Sequence, residues 1–123
     1  MINWDQVKQL EDDIGAEDFG DVVVMFIFGD VVVMFIEEVD EAVDNLRAKA
    51  ELTAQELASA MHFLKGSAAN LGFNEFSEMC SRGEKSAESG VRNDVDIPQV
   101  IALYDASKLA FLTDVSVHTS YIP

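Results

Sequence analysis

Basic residues are scarce in this chain: 8 lysines and arginines stand against 23 aspartates and glutamates, a formal net charge of −15. A field of that sign repels nucleic acid phosphates and anionic membrane surfaces, so neither is an expected partner. It favours a protein partner with a basic docking surface. The single cysteine, Cys80, excludes an internal disulfide and fits a reducing compartment. Two distant histidines, His62 and His118, lack metal-ligand spacing, so no metal site is expected. No apolar run is long enough for a bilayer, which takes roughly 20 residues. The richest stretch, Val22 to Ile36, is interrupted by Gly29 and Asp30 and is followed by Glu37 and Glu38. The start, MINWDQVKQLEDDIG, has no basic segment ahead of an apolar one, so no secretory leader is expected and the cytoplasm is the default.

Proline is nearly as rare, with two in 123 residues, one of them the last. That length suits one domain, and the apolar spacing is mostly helical. Trp4, Val7, Leu10 and Ile14 step by three and four and mark a short first helix, ended by Gly15. Phe28, Val32, Phe35, Ile36, Val39, Val43 and Leu46 mark a second. A third opens on the capping box Thr53-Ala-Gln-Glu56, carries Leu57, Ala60, Met61, Leu64, Ala68 and Leu71, and stops at Gly72. A fourth runs from Asn74 to Ser89 with Phe76, Met79 and Cys80 inward. Gly90 to Asp96 reads as a polar loop. Pro98 opens a fifth helix through Val100, Ile101, Tyr104, Leu109 and Leu112. The expected fold is all-α: an antiparallel four-helix bundle with a short extra N-terminal helix. The bundle is expected over residues 1–114, with 115–123 as a C-terminal tail in which His118 is inert.

One segment does not fit this plan. FGDVVVMFI occurs twice without a gap, as residues 19–27 and 28–36. Nine residues turn a helix by about 900°, half a turn out of register. The second copy therefore aligns with Val39 and Leu46, whereas Phe19, Val23 and Phe26 of the first fall on the opposite side of a continuous helix. The tandem duplication is expected to disturb the second helix. Three readings are open: it extends that helix with an apolar face exposed, loops out, or pairs with a second molecule. Its valines also have strand propensity, compatible with a hairpin around Phe-Gly-Asp. A homodimer through this segment stands against a duplication with no selected role.

The third helix holds the candidate site. With His62 as origin, Leu57, Ala60, Leu64, Ala68 and Leu71 fall on the far, buried side, while Ala58, Lys65, Gly66 and Ala69 lie within about 60° of the imidazole. Ser67 and Asn70 flank that face. A histidine therefore points to solvent from a stiff helix, beside one cation and several residues too small to obstruct an approach. Gly66 inside a helix costs about 1 kcal/mol relative to alanine, a cost that close approach of another backbone would offset. A neutral imidazole is a nucleophile, and Lys65 suits an anion held beside it.

The run His62-Phe-Leu-Lys65-Gly66-Ser67-Ala-Ala-Asn70-Leu-Gly72 resembles the H-x-L-K-G-S-A-x-x-L-G signature of histidine-containing phosphotransfer (HPt) domains. The likeness extends to the helical plan from about Trp4 to Asp114. It implies a phosphoryl carrier of multistep two-component phosphorelays, with His62 as phosphoacceptor on Nε2. Lys65 would steady the phosphoryl group, and Gly66 would give a partner room. The implied partners are receiver domains of response regulators and hybrid histidine kinases. No cofactor is implied for the chain itself, since magnesium comes with the receiver. Nothing resembles a nucleotide-binding loop, so a carrier rather than an enzyme is expected. Phe76, Cys80 and Glu84 fit the family's spacing in the next helix, but Gly83 stands where a large apolar residue is usual, which implies a looser bundle there. The repeat lies at the start of the helix that usually helps dock the receiver. A non-phosphorylated adaptor and a self-associating protein are the alternatives, and Met1 favours a free-standing carrier over an excised domain.

Overall fold

A computed structural model of the chain describes residues 1–15, 20–48, 51–90 and 95–123. Five helices form: α1 (Trp4–Gly15), α2 (Asp21–Ala48), α3 (Ala54–Asn70), α4 (Asn74–Glu88) and α5 (Ile97–His118). No strand occurs among the described residues. The four longer helices make the bundle, with α3 and α4 forming the most extensive pairing. Pairings of Phe28 with Tyr121, Asp40 with Lys108 and Arg47 with Asp105 show α2 and α5 running in opposite senses.

Local chemistry sets the helix ends. Thr53 accepts from the Glu56 backbone N–H while the Glu56 carboxylate accepts from the Thr53 N–H, so the expected capping box satisfies two otherwise orphaned donors. The Asp96 side chain accepts from the Gln99 N–H at the start of α5, two residues before Pro98. At the other end of α3 the Phe73 N–H donates to the Ala68 carbonyl and the Gly72 N–H to that of Ala69. This double closure needs a left-handed residue between them, and Gly72 sits there with φ +73°. The turn also receives α1, since the Asn3 N–H donates to the Gly72 carbonyl at 2.7 Å.

The core gathers Val7 of α1, Phe28, Val32, Val39, Val43 and Leu46 of α2, Leu57, Met61, Leu64 and Ala68 of α3, and Phe76 and Cys80 of α4. From α5 it takes Val100, Tyr104, Phe111 and Val115. Leu109, placed by spacing in the helical pattern of α5, is 69% exposed, and the turn between Tyr104 and Phe111 is filled by Ser107 instead. At Gly83 a side chain would meet the Met61 sulfur at 3.1 Å, so the thioether packs against the glycine, while a hollow of about 280 Å³ lined by Met79, Gly83, Val95 and Val100 lies beside it.

The repeat prolongs a helix rather than breaking one. α2 continues unbroken through Gly29 and Asp30, 28 residues in all and roughly 42 Å at 1.5 Å per residue. The disturbance, loop and hairpin expected for this segment are therefore corrected. Gly29 is admitted because the Tyr121 ring lies where its side chain would project, at 3.3 Å. Phe28 and Val32 of the second copy are buried, while Val22, Val23 and Phe26 of the first are exposed. Phe19 lies outside the described residues, as do 91–94 of the polar loop.

Residues 115–123 are not a free tail. The helix runs on to His118, whose ring stacks on Trp4 with centroids 4.2 Å apart, and Val115 is fully buried. Beyond it, the Ser120 N–H donates to Glu11 Oε2 at 2.9 Å, and Lys8 holds the other carboxylate oxygen. His118 thus helps clasp the C-terminus to α1.

Replacing Gly72 by alanine should be among the most damaging changes outside the core. Its Cβ would lie 2.5 Å from the Asn3 carbonyl oxygen, in a backbone region that costs an L-residue about 1–2 kcal/mol before any clash. Urea unfolding of Gly72→Ala should show a stability loss of about 2 kcal/mol or more.

Candidate functional site

The α3–α4 hairpin builds the site. His62 lies ten residues before Gly72 and Glu84 twelve after it, so folding about that turn sets the two side by side. The register is held below by the Ser77 hydroxyl, which donates to the Lys65 carbonyl at 2.9 Å, and above by Met61 over Gly83.

His62 stands outward with 72% of its side chain exposed, as its spacing requires. Its Nδ1 faces both oxygens of Glu84, at 3.1 and 3.2 Å. Lys65 Nζ reaches the same carboxylate at 3.1 Å. Glu84 itself is only 12% exposed, wedged between the two. Its packing disfavours the charged form, yet hydrogen bonds from Lys65 and His62, together with the lysine's charge, outweigh this and hold the carboxyl below its ordinary 4.5. An ionised carboxylate can only accept, so the bond assigns the hydrogen to Nδ1 and leaves the lone pair of the neutral ring on Nε2, facing solvent.

Around the ring the surface is bare. A methyl group on Gly66 would meet nothing within 4 Å, so no contact inside this chain requires glycine there. Ala58 and Ala69 are half-buried and add no bulk. Phe63, which sequence reasoning did not single out, is 43% exposed and lines a cleft of about 810 Å³ between α2 and α3, with Ala42, Asn45, Ser59 and Ala60. Glu38 and Glu41 border its neighbouring hollow. Ser67 is half-buried and Asn70 exposed, with no hydrogen bond tying either side chain to the His62–Glu84 pair.

The structure thus brings His62, Lys65 and Gly66 onto one face and adds Glu84 as the group that joins two of them. Cys80 lies buried behind them, its thiol pushed up to about 12 by desolvation, which keeps it protonated and unreactive. Among the described residues, no group of three His, Cys, Asp or Glu side chains is placed to hold a metal ion. No helix among them is long and apolar enough to cross a membrane.

Sequence comparison gives the family. The Hpt domain family model matches residues 30–109, almost two-thirds of the chain, and this protein belongs to that family. Its members are helical bundles that act as phosphocarrier modules rather than kinases in two-component signalling, where they interact with receiver domains. Searches of curated proteins and of solved structures return no significant match. The match opens inside the second copy of the repeat, leaving α1 and the first copy outside it.

The Glu84 bridge has a definite pH signature. A carboxyl whose folded pKa is depressed contributes stability above its unfolded value near 4.5, and the contribution is lost as pH falls through the folded value. The wild type should therefore lose more stability than Glu84→Gln between about pH 5 and pH 3, measured as the shift in urea midpoint. In the same variant, ring ¹⁵N shifts of His62 at neutral pH should report a smaller Nδ1–H population than in the wild type.

Proposed function

We propose that this chain carries a phosphoryl group on His62 Nε2, taking it from the phosphoaspartate of one receiver domain and passing it to the aspartate of another. The observation that carries this reading is the Glu84 carboxylate on Nδ1, which leaves the nucleophilic lone pair on the outward nitrogen. The Nε2 lone pair attacks phosphorus, the bond from phosphorus to the aspartyl oxygen breaks, and the receiver's carboxylate leaves. The ring then bears positive charge, which Glu84 offsets from the Nδ1 side. Lys65 lies one turn along and is free to exchange Glu84 for a phosphoryl oxygen. Return transfer runs through the same steps in reverse.

The bare face at Gly66 fits a receiver backbone, and the Phe63 cleft offers an apolar anchor beside it. Its acidic border selects a partner with basic residues at the rim. Magnesium would arrive in the receiver's own acidic pocket. The expected location of this activity is the cytoplasm.

Incubation with a phosphorylated receiver should label the wild type with an acid-labile, base-stable phosphoramidate, and His62→Gln should remain unlabelled. Labelling that survives in His62→Gln would refute the assignment, and docking without labelling of the wild type would favour the adaptor. Gly66→Ala separates docking from folding. With no neighbour to meet, the added methyl should leave stability unchanged or raise it by up to about 1 kcal/mol. Transfer to the same variant should slow by about tenfold or more, the cost of displacing a close backbone contact by roughly 1.4 kcal/mol.

A further inference from the structure

We propose that Glu84 keeps the Nδ1 proton on the ring after His62 is phosphorylated, so that the carrier stays in a short-lived, transfer-ready form through neutral pH instead of storing its phosphoryl group. The inference rests on the phosphocarrier reading and adds to it the fate of that proton.

A ring phosphorylated on Nε2 exists in two forms. With hydrogen on Nδ1 it is cationic, and it departs as neutral imidazole when the P–N bond breaks. Without that hydrogen it must depart as an imidazolate, a far poorer leaving group. A phosphohistidine open to water sheds the proton as pH rises through neutrality and becomes slow to react.

The geometry opposes that loss. Both Glu84 oxygens face Nδ1, at 3.1 and 3.2 Å. The carboxylate is only 12% exposed, on a helix whose register the Gly72 turn and the Ser77 hydroxyl fix. At rest it divides itself between the ring and Lys65, whose Nζ lies 3.1 Å away. Once the phosphoryl oxygens draw Lys65 off, the carboxylate faces the ring alone, in a place partly screened from water. The exchange thus tightens the hold on Nδ1–H at the moment the ring becomes cationic. Other acids near the face act in the same direction: Glu88 one turn beyond Glu84 on α4, and Glu38 and Glu41 of α2 along the hollow beside Phe63. α1 reaches α3 at Gly72, ten residues from His62.

The proton is a spectator in the transfer it permits. The acceptor's carboxylate oxygen bonds to phosphorus, the P–Nε2 bond breaks, its electron pair returns to Nε2, and the hydrogen stays on Nδ1. With water as the attacking group the same bond breaks, a water proton passes to solvent and inorganic phosphate is released. Readiness to transfer and a short lifetime therefore come together.

The full chain can be labelled on His62 with potassium phosphoramidate, without any receiver, and decay of its phosphorus NMR signal followed between about pH 6 and pH 9. His62→Gln supplies the blank for His118. Glu84→Gln still offers an acceptor to Nδ1 but no charge. The wild-type hydrolysis rate should hold level to about one pH unit higher than that of Glu84→Gln. At about pH 8 the variant's phosphohistidine should last about tenfold longer, one decade per pH unit on the falling limb. A purely structural Glu84 would change the rate at every pH without moving the profile. Coincident profiles overturn this proposal and leave the carrier reading, judged by receiver labelling, standing. A His62 that phosphoramidate leaves unlabelled overturns both.

Discussion

The tight turn at Gly72 decides where the chemistry of this protein can be. Only a left-handed residue closes α3 with both carbonyls satisfied and sends α4 straight back along it, and only a residue without Cβ leaves room for Asn3 against the same peptide. The reversal fixes the register of two rigid helices. Ser77 on the Lys65 carbonyl and Met61 on Gly83 hold that register on either side of the site. Glu84 then has no freedom about where it falls: it meets Nδ1 of His62 and Nζ of Lys65 because the hairpin is folded there. The tautomer of an exposed imidazole is thereby set by a backbone angle ten residues away.

That arrangement also answers an electrostatic difficulty. The transfer proposed above would bring further negative charge to a chain already at −15. Several of its cations are engaged in pairs, Lys8 with Glu11, Arg47 with Asp105 and Lys108 with Asp40. Those pairs tie helix to helix or brace the C-terminal clasp, so breaking them would loosen the bundle. Lys65 differs, because its partner Glu84 keeps a second donor in His62 when the lysine moves. The carboxylate would then stay paired, which lowers the cost of the proposed exchange of Lys65 onto a phosphoryl oxygen.

Much of this was legible in the residues. The apolar steps gave all five helices, Thr53 with Glu56 gave one cap, and the position of His62 opposite Leu57, Leu64 and Ala68 gave its exposure. The pairing of His62 with Glu84 was not, because it belongs to no single helix. A signal was present in their near-equal separation from Gly72, but reading it requires the two helices to be set antiparallel first. Leu109 misled for the opposite reason. Hydrophobicity alone favoured it, whereas the steps Tyr104, Ser107, Phe111 and Val115 trace the buried face and carry it past Asp114. The segment after Asp114 looked like a tail since its neighbours, Trp4, Glu11 and Phe28, lie far away in sequence. Docking of that kind leaves no local periodicity.

The nonapeptide repeat illustrates how a helix translates length into direction. Identical side chains nine residues apart cannot share an environment on one straight helix, since half a turn separates them. Val32 is sealed in the core while Val23 is exposed, Phe35 packs against the core while Phe26 stands in solvent, and Gly29 lies against Tyr121 whereas a side chain on Gly20 would meet nothing within 4 Å. The core tolerates the insertion because it lengthens α2 at its N-terminal end, beyond the turns that hold Val39, Val43 and Leu46. Nothing on the His62 side has to move. The first copy thus places Val22, Val23 and Phe26 on the outside of α2, while Phe28 and Val32 of the second copy stay in the core.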